Sequence, residues 1–340
     1  MGLLSNYSPT FKEEKAISFL SKFVKDKLNF DQVVIDEVGN LIASYGRGRR
    51  SIALIGHIDT VQGYIPVKID NDFIWGRGAV DAKGPLASAF IGASNARDYV
   101  EDVLKVFAIA LVGEEGPSHG AWNLVKKGVR FDHVVICEPS AGTGVVVEYR
   151  GSLLVKVECS SKPGHTATRG LTSACNKLIN YLMYVSSNTD INEYIPTVVK
   201  LMCGEAFNVI PKSGYAYISL RLPLGTKPDE VIKIMELNLP NNCKLDVKSY
   251  VEPVRVPLNS PIVRSVIRSL IKLGLKPRLV RKLGTSDMNI VYSRVSNDVV
   301  AYGPGDSKLS HTDEERIGIE DLVLGARVYE SIIKEIVKLT

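Results

Sequence analysis

The sequence has 340 residues, of which 45% are hydrophobic and 23% are charged, and its formal net charge is +5. This composition is typical of a globular protein large enough for two domains, and it excludes fibrous and intrinsically disordered chains. The N-terminal segment lacks the pattern of a signal peptide, and no uncharged apolar run approaches the length needed to cross a bilayer. We therefore expect a protein that does not associate with membranes and is located in the cytoplasm.

The most basic segment is Gly46–Arg50, which lies between two apolar runs. This arrangement favours a hairpin turn in solvent over a nucleic-acid-binding patch, so we expect no nucleic-acid partner. The mild excess of positive charge leaves an acidic partner open.

The cysteines are odd in number and scattered, and none has the CxxC spacing. This pattern argues against a disulfide framework and against a thiolate zinc site, and it predicts that most of these residues are small, buried apolar side chains. They are Cys137, Cys159, Cys175, Cys203 and Cys243.

Up to about residue 148, helical and strand patterns alternate. An amphipathic segment over 13–27 leads to a buried strand that ends at His57, and a helical pattern begins near Pro85. Two more apolar strands end just before Glu114 and Glu138. Alternation of this kind predicts an α/β domain with a mostly parallel sheet flanked by helices, in which ligands bind at the carboxyl ends of the strands.

From 149 to 252 the strands alternate apolar and polar residues more regularly, and two helical segments lie between them. This pattern predicts an inserted α+β domain with an antiparallel sheet. Helical patterns return after Pro253, and the last begins at Ile319. We therefore predict a catalytic domain formed by residues 1–148 and 253–340, interrupted by a smaller domain over residues 149–252.

The segment GHIDTV is the first candidate motif. In extended backbone, residues two apart point the same way, so His57 and Asp59 can be neighbours. A metal-bound imidazole commonly donates its other N–H to a carboxylate, which makes His57 a candidate ligand and Asp59 its orienting partner. An ordinary hydrogen-bonded pair at a strand end would have the same sequence.

Carboxylates follow in three places. Asp81 lies in a glycine-rich string, where it could bridge two cations or cap the helix that begins near Pro85. Of the adjacent pair Glu114 and Glu115, one could bind a metal while the other accepts a proton from water, although a solvated acidic turn is the alternative. Glu138 adds a carboxylate at the same edge of the sheet.

His311 precedes an acidic run that could merely cap or solvate the following helix. Taken together, two imidazoles and three carboxylates suit two zinc-like ions about 3.5–4 Å apart that share one bridging carboxylate. The candidate ligands are His57, Asp81, Glu115, Glu138 and His311.

Taken in order, nine segments resemble the co-catalytic zinc aminoacylase and carboxypeptidase family, which includes acetylornithine deacetylase and succinyl-diaminopimelate desuccinylase. The segments are GHIDTV, GRGAVDAKG, GEEG, CEPS, KPGHTA, FNVIP, SLRLP, GTSDMN and SHTDEE, and they span nearly the whole chain. The resemblance implies an amide hydrolase with two divalent metal ions, zinc or alternatively cobalt.

The resemblance also implies how the ligands are shared. It assigns one metal to His57, Asp81 and Glu138, and the other to Asp81, Glu115 and His311. Asp81 is then the bridge, and Glu114 the general base. Because the family divides between Asp and Glu at the position of Glu138, this residue groups the chain with amide-cleaving deacylases.

In the family, the inserted domain forms a homodimer interface. His165 matches a histidine that reaches the partner's active site and stabilises the tetrahedral oxyanion. Asn208 and Arg221 match residues that contact substrate, and a bidentate arginine suits an α-carboxylate. Without the resemblance these three residues would be a turn residue, a strand-end turn and a surface ion pair. Ala82 and His119 depart from the family, which usually has Met and a small residue there, but neither is a ligand position.

The compact length, PGHT and GTSDMN resemble one subgroup in particular. Those enzymes release lysine or ornithine from an amino-group carrier protein in lysine and arginine biosynthesis. The carrier is small and acidic and holds the amino acid through its C-terminal glutamate, so a basic enzyme would suit it. A further hypothesis is that Asp287 meets the side-chain ammonium of lysine or ornithine.

Two other functions remain open. The first is deacylation of a free N-acyl amino acid, such as acetylornithine or succinyl-diaminopimelate. The second is a catalytically silent binding protein on the same scaffold. The presence of Glu114 argues against the second, because a silent relative need not retain the base.

Overall fold

The computed structural model describes residues 1–100, 102–204 and 206–339. It divides into two compact units. The first unit consists of Met1–Glu148, Arg255–Arg281 and Ser286–Thr340, and the second of Tyr149–Val254 and Lys282–Thr285. Lys282–Thr285 lie within the predicted catalytic domain but pack with the second unit, where the Lys282 carbonyl accepts the N–H of Arg150 at 3.1 Å. In the described part of the chain, no helix is long and apolar enough to span a membrane.

Before residue 150, strands and helices alternate in the predicted way. The strands are β1 (Gln32–Ile35), β2 (Leu41–Tyr45), β3 (Arg50–His57), β4 (Lys68–Asp70), β5 (Phe73–Trp75), β6 (Leu104–Leu111), β7 (His133–Cys137) and β8 (Gly144–Tyr149). The helices are α1 (Gly2–Ser5), α2 (Glu14–Lys27), α3 (Lys83–Asn95), α4 (Arg97–Val100) and α5 (His119–Lys126).

In its described residues, the second unit has an antiparallel sheet and three helices. Its strands are β9 (Gly151–Ser160), β10 (Thr197–Cys203), β11 (Ser213–Leu222) and β12 (Cys243–Val251), and its helices are α6 (Ala174–Ser187), α7 (Thr189–Asn192) and α8 (Pro228–Glu236). The sheet order is β10-β11-β9-β12. Alternate residues of β9 and β11 are buried, and they form a core with apolar residues of α6 and α8.

After the second unit, the chain returns to the first. The remaining elements are β13 (Val254–Arg255), α9 (Pro261–Lys272), β14 (Arg278–Lys282), α10 (Met288–Val291), β15 (Val299–Tyr302), a 3-10 turn (Ser307–Leu309), β16 (Arg316–Gly318) and α11 (Ile319–Val337).

The main sheet of the first unit has the order β1-β2-β6-β3-β7-β15-β8-β13, and β14 also pairs with β8. The central strands β6, β3, β7 and β15 run parallel to one another. All five residues of β7 and all four of β15 are buried, as expected for parallel strands covered on both faces. The fold prediction, a mostly parallel α/β sheet, is therefore confirmed.

The predicted hairpin around Gly46–Arg50 is wrong. Strand β2 pairs antiparallel with β6, and β3 pairs with the other edge of β6. Because β6 lies between the two strands, the basic segment is a connection across β6 and not a hairpin turn.

The prediction that the cysteines form no disulfides is also wrong. Cys159 and Cys243 face each other on the paired strands β9 and β12 and are bonded, and a second disulfide joins Cys175 of α6 to Cys203 of β10. Both bonds connect residues that only the folded second unit brings together, so sequence spacing could not reveal them. Cys137 is free and buried, in the way predicted.

Candidate metal centre

Three parallel strands carry polar residues to one edge of the main sheet. Strand β3 ends at His57 and lies between β6 and β7, which are followed by Glu114 and Glu138. Because the three strands run in the same direction, their carboxyl ends lie side by side. The chain thus brings one imidazole and the carboxylates of two loops to the same place.

Asp81 lies between the two candidate histidines. Its Oδ1 is 3.1 Å from Nε2 of His57, and its Oδ2 is 3.4 Å from Nε2 of His311. The side chain does not cap a helix, because α3 begins at Lys83 and the N-cap residue is Ala82. The two oxygens therefore point to two different imidazoles, as a bridging carboxylate requires.

The other two carboxylates each approach one imidazole. Glu138 Oε1 is 3.7 Å from Nε2 of His57, and Glu115 Oε1 is 2.9 Å from Nε2 of His311. Donor atoms at the corners of a tetrahedron with bonds of about 2.0–2.1 Å lie roughly 3.3 Å apart, which is close to these separations. Single donor atoms of His57, Asp81 and Glu115 also all lie within 4.8 Å of one another.

The donor set fits two divalent ions that share Asp81. Imidazole nitrogens and carboxylate oxygens are the ligands that zinc-like ions accept, and both histidines present the same nitrogen to the shared carboxylate. The grouping of His57 with Glu115 is consistent with this arrangement, because ions about 3.5–4 Å apart bring the ligands of both within one small volume.

The ionisable groups of the centre perturb one another strongly. Burial, and then the nearby Asp81 carboxylate, raise the pKa of Glu138 to about 8, and burial raises the pKa of Glu114 well above its ordinary value. Hydrogen bonds with Asp81 and Glu115 raise the pKa of His311 to about 10. Without ions the centre thus retains protons that its carboxylates would otherwise lose. Divalent cations would supply the positive charge that these protons otherwise provide.

Asp59 lies beside His57, as predicted for an orienting partner, and its carboxylate has a further set of contacts. Nδ1 of His57 is 3.0 Å from the main-chain oxygen of Asp59 and 3.4 Å from its carboxylate Oδ1, so the nearer acceptor is the main chain. The carboxylate instead accepts the backbone N–H of Glu114 on one oxygen and that of Glu115 on the other, both at 3.0 Å. Asp59 therefore holds the loop that carries the candidate base and a candidate ligand.

A buried ion pair that the sequence did not reveal supports the other side of the centre. Glu315 accepts the N–H groups of Val80 and Asp81 at 3.0 and 3.1 Å and pairs with Arg77 at 3.0 Å. Arg77 also donates to the main-chain oxygen of Thr312, next to His311. The prediction that the acidic run only caps or solvates the following helix is wrong for Glu315, which is 1% exposed.

Arg77 stands in the glycine-rich string of Asp81, and Glu315 lies four residues after His311. Both were visible as charged residues inside candidate motifs. The signal that would have found them is that a charge so near a metal ligand rarely lacks a partner.

Asp287 also lies close to the centre. It is 2% exposed, and its Oδ1 is buried without a hydrogen-bond partner in the described part of the chain. Burial raises its pKa to about 7. The negative charge of Asp287 also contributes to the raised pKa values of Glu114 and Glu138.

The remaining predicted site residues belong to the second unit. His165 and Asn208 are exposed and lie on adjacent segments, which are joined by a bridge between His165 and Val209 and by the N–H of Ile210, which donates to the Gly164 carbonyl at 2.7 Å. The structure thus brings His165 close to Asn208. Arg221 lies on β11 and donates to Oγ1 of Thr285 at 3.3 Å.

Known proteins resemble the chain over nearly its full length. The LysW-lysine/LysW-ornithine hydrolase of Saccharolobus islandicus is 37% identical over 338 residues, which cover 99% of this chain and 94% of that protein. The enzyme of the same name from Sulfurisphaera tokodaii is 37% identical over 339 residues, which cover 98% of this chain and 93% of that protein.

Solved structures share the fold at low sequence identity. A tripeptidase from Staphylococcus aureus has a TM-score of 0.83 at 21% identity, with 99% of this chain and 97% of that chain covered. An M20 family metallo-carboxypeptidase from Sulfolobus solfataricus has a TM-score of 0.76 at 17% identity, with 98% and 97% covered.

A family model described as peptidase family M20/M25/M40 matches residues 53–335 of the chain. That range contains all five candidate ligands together with Glu114. On these grounds, the chain belongs to peptidase family M20/M25/M40 and is a metal-dependent hydrolase.

Proposed function

We propose that the chain hydrolyses the amide that links lysine or ornithine to the amino-group carrier protein LysW. The observation that carries this substrate is the 37% identity with the named hydrolases, which extends over 99% of the chain. The metal centre supports amide hydrolysis, because it combines two candidate ion sites with the nearby carboxylate of Glu114, which is not among the candidate ligands.

His57, Asp81 and Glu138 would hold one ion, and Asp81, Glu115 and His311 would hold the other. Zinc is our first choice and cobalt the alternative, because nitrogen and oxygen ligands of this kind accept both. When bound, the ions supply Lewis acidity, which polarises the amide carbonyl and lowers the pKa of the attacking water.

Glu114 is the general base in this proposal. Its backbone N–H is held by Asp59, and burial raises its pKa well above the ordinary value, which makes the carboxylate a stronger base toward water. The same carboxyl then gives that proton to the departing amine. One side chain thus serves both proton transfers.

His165 would stabilise the oxyanion. Its Nδ1 accepts the N–H of Ala167 at 3.1 Å, so in the neutral ring the proton is on Nε2, which is free to donate from this exposed side chain. Asn208, on the adjacent segment, would contact substrate beside it. Arg221, with its guanidinium half-buried beside Thr285, would bind the α-carboxylate of the amino acid.

Asp287 would receive the side-chain ammonium of lysine or ornithine. The proposal rests on its buried oxygen, which has no hydrogen-bond partner in the described part of the chain. An ammonium group would satisfy that oxygen and compensate its charge.

We propose a homodimer in which the second unit meets a second copy of this chain. Strand β10 is at the edge of its sheet and all seven of its residues are exposed, including Val199 and Leu201. Helix α6 exposes Ile179 and Met183, and its disulfide holds it to the end of this strand. An edge strand beside exposed apolar side chains is a surface that another copy could cover by strand pairing.

The other partner in the proposal is the carrier itself, an acidic protein suited to a chain with a net charge of +5. We place the reaction in amino-acid biosynthesis in the cytoplasm. Neither a nucleic acid nor a membrane has a role in it.

The substrate experiment supplies the zinc-loaded protein with lysine-loaded LysW, ornithine-loaded LysW and acetylornithine, each at the same concentration, and follows release of the free amino acid. We expect rapid release from loaded LysW and at least about a hundredfold slower release from acetylornithine. Faster cleavage of acetylornithine would replace the carrier with a free acyl amino acid. No cleavage of any of the three by a protein that retains its metals would favour a silent binding protein.

A further inference from the structure

The carboxylate of Asp59 has a third donor, which comes from the N-terminus of the chain. Oγ1 of Thr10 donates to Oδ2 of Asp59 at 2.8 Å, and the same oxygen accepts the N–H of Glu115 at 3.0 Å. Oδ1 accepts the N–H of Glu114. Asp59 is fully buried, so water is not available to replace a donor that is lost.

Thr10 belongs to a segment that we name the N-terminal strap, residues Tyr7–Phe11. The strap runs parallel to the residues that follow β3: the N–H of Thr60 donates to the Ser8 carbonyl at 3.0 Å, and the N–H of Thr10 donates to the Thr60 carbonyl at 3.2 Å. Oγ of Ser8 donates to the Ile58 carbonyl at 2.7 Å. Hydrogen bonds of Ser8 and of the Thr10 main chain therefore fix the backbone that carries the Thr10 hydroxyl.

The strap also packs against the loop that Asp59 holds. A Cβ atom at Gly116 would come within 2.9 Å of the Thr10 methyl group, and the Phe11 ring stacks on His119 with centroids 5.6 Å apart. Gly116 follows Glu115 directly, and His119 begins helix α5. The strap thus contacts the part of the loop that directly follows the two residues bound by Asp59.

From these contacts we infer that Thr10 is a positioning residue of the metal centre, which acts through Asp59. Its hydroxyl fixes the carboxylate in the orientation that holds the N–H groups of Glu114 and Glu115, and so fixes the base and a metal ligand together. The inference rests on the metal centre of the proposed function, but not on the identity of the substrate.

The test compares four variants with the wild type in the full-length protein. Thr10→Val keeps the shape and removes the hydroxyl, Thr10→Ser keeps the hydroxyl, and Thr10→Cys keeps the size with a weaker donor. Thr60→Val is the matched control: this threonine is 1% exposed and its main chain is hydrogen-bonded to the strap, but its hydroxyl donates to the Val61 carbonyl and not to Asp59. Folding of each variant is checked by circular dichroism and thermal melting.

The main readout is zinc affinity of the metal-free protein, measured by competition with a chromogenic chelator. We expect Thr10→Val to bind zinc about tenfold to a hundredfold more weakly, in the range seen when partners of metal ligands are removed. Thr10→Ser should bind within about twofold of the wild type, Thr10→Cys should lie between the two, and Thr60→Val should bind like the wild type.

Turnover gives a second readout. With loaded LysW, kcat of Thr10→Val should fall about tenfold or more while KM stays within about twofold, because the hydroxyl positions groups that act in the transition state. Zinc affinity of Thr10→Val equal to that of Thr60→Val would overturn the inference. It would also be overturned if Thr10→Ser were as weak as Thr10→Val, since packing and not the hydroxyl would then be responsible.

Failure of the proposed function gives different results. If the wild type binds no zinc, the proposed metal centre is wrong. If it binds zinc but cleaves no loaded LysW, the substrate is wrong, and the affinity comparison among the Thr10 variants still decides whether the hydroxyl positions the centre.

Discussion

At the scale of single residues, the centre depends on how charges act on one carboxyl group, that of Glu114. Burial raises its pKa, the field of His57 lowers it, and the carboxylates of Glu138 and Asp287 raise it further. Bound cations oppose the effect of the carboxylates. The buried carboxylate of Glu114 is therefore a stronger base than an exposed glutamate, as a group that accepts a proton from water requires.

Replacing Glu114 by Ala should leave metal binding nearly intact but lower kcat by about 10²–10⁴, the range that a general base contributes. Metal content by atomic emission and release of lysine from loaded LysW would measure the two effects separately. Glu314→Ala is the control, because Glu314 is 76% exposed in the loop of His311. Wild-type-like turnover of Glu114→Ala would remove this residue from the proposed mechanism.

Substitutions in the buried pair of Arg77 and Glu315 should change the stability of the protein and its zinc affinity independently. Arg77→Met leaves the Glu315 carboxylate buried and unpaired, which should destabilise the protein by about 3–5 kcal/mol. Arg77→Met with Glu315→Leu removes both charges and should recover most of that stability. Its zinc affinity should stay low, because the N–H groups of Val80 and Asp81 lose their acceptor.

Urea denaturation and chelator competition measure these two quantities. Arg255→Met is the control, since Arg255 is 51% exposed in its pair with Glu148 and exposed pairs contribute only about 0–1 kcal/mol. If the double variant bound zinc as tightly as the wild type, Glu315 would have no part in holding Asp81.

At the scale of elements, the second unit is stabilised by connections that cross it. One disulfide joins strands β9 and β12, and the other joins helix α6 to the edge strand β10. The first encloses a segment with a sequence separation of 84 residues and the second one of 28. Each bond restricts the unfolded chain more than it changes the folded unit.

Without reductant, the denatured protein should therefore titrate with Ellman's reagent as one free thiol, Cys137, and with reductant as five. Replacing Cys159 and Cys243 together by Ala should lower the free energy of unfolding by about 2–4 kcal/mol in urea denaturation. Five thiols in the untreated protein would show that the cysteines are reduced.

The exposed edge strand predicts the state of assembly. Leu201→Lys places a charge on β10, where Leu201 is 47% exposed, and should convert the proposed dimer to monomers in size-exclusion chromatography with light scattering. Ile271→Lys is the control, because Ile271 is 59% exposed on α9 of the first unit. A Leu201→Lys protein that remains dimeric would place the interface elsewhere.

At the scale of the whole molecule, the metal centre couples stability to pH. A carboxyl group with a raised pKa in the folded state stabilises that state while it is protonated and loses this contribution as the pH rises through the folded value. Glu138 has a pKa raised to about 8 and Asp287 one raised to about 7, and the raised pKa of His311 acts in the same direction.

The metal-free protein should consequently melt at a lower temperature at pH 8 than at pH 5.5. Zinc should raise the melting temperature at pH 8 by more than it does at pH 5.5, because bound ions replace the protons that the ligands have lost. Differential scanning fluorimetry with EDTA or with zinc measures both effects. A metal-free protein that is more stable at pH 8 would contradict the assigned pKa directions.

Much of the fold could be predicted from sequence because buried parallel strands and amphipathic helices have distinct patterns. Helix α11 begins at Ile319, where it was expected, and α2 begins one residue after its predicted start. Strand β10 was not predicted, since all its residues are exposed and no alternation marks it. The hairpin at Gly46–Arg50 was wrong because strand order depends on long-range pairing, which local patterns do not contain.

Part of the candidate site could likewise be predicted from sequence, and part could not. Ligand residues could be found from their types and positions after strands, and family resemblance supplied their shared roles. The contacts of Thr10 with Asp59 and of Glu315 with Asp81 could not be predicted, because they join segments 49 and 234 residues apart. Spacing along the chain carries no information about such pairs.

The first unit is assembled from separated stretches of chain, and this fixes an order of events during synthesis. Strand β15 lies inside the main sheet, and both β15 and His311 come after the second unit in the chain. The second unit is nearly continuous in sequence, so during translation it emerges from the ribosome as a whole before β15 can complete the main sheet of the first unit. Metal ions can therefore find their full set of ligands only after the second unit has been synthesised, since the last candidate ligand, His311, follows that unit in the chain.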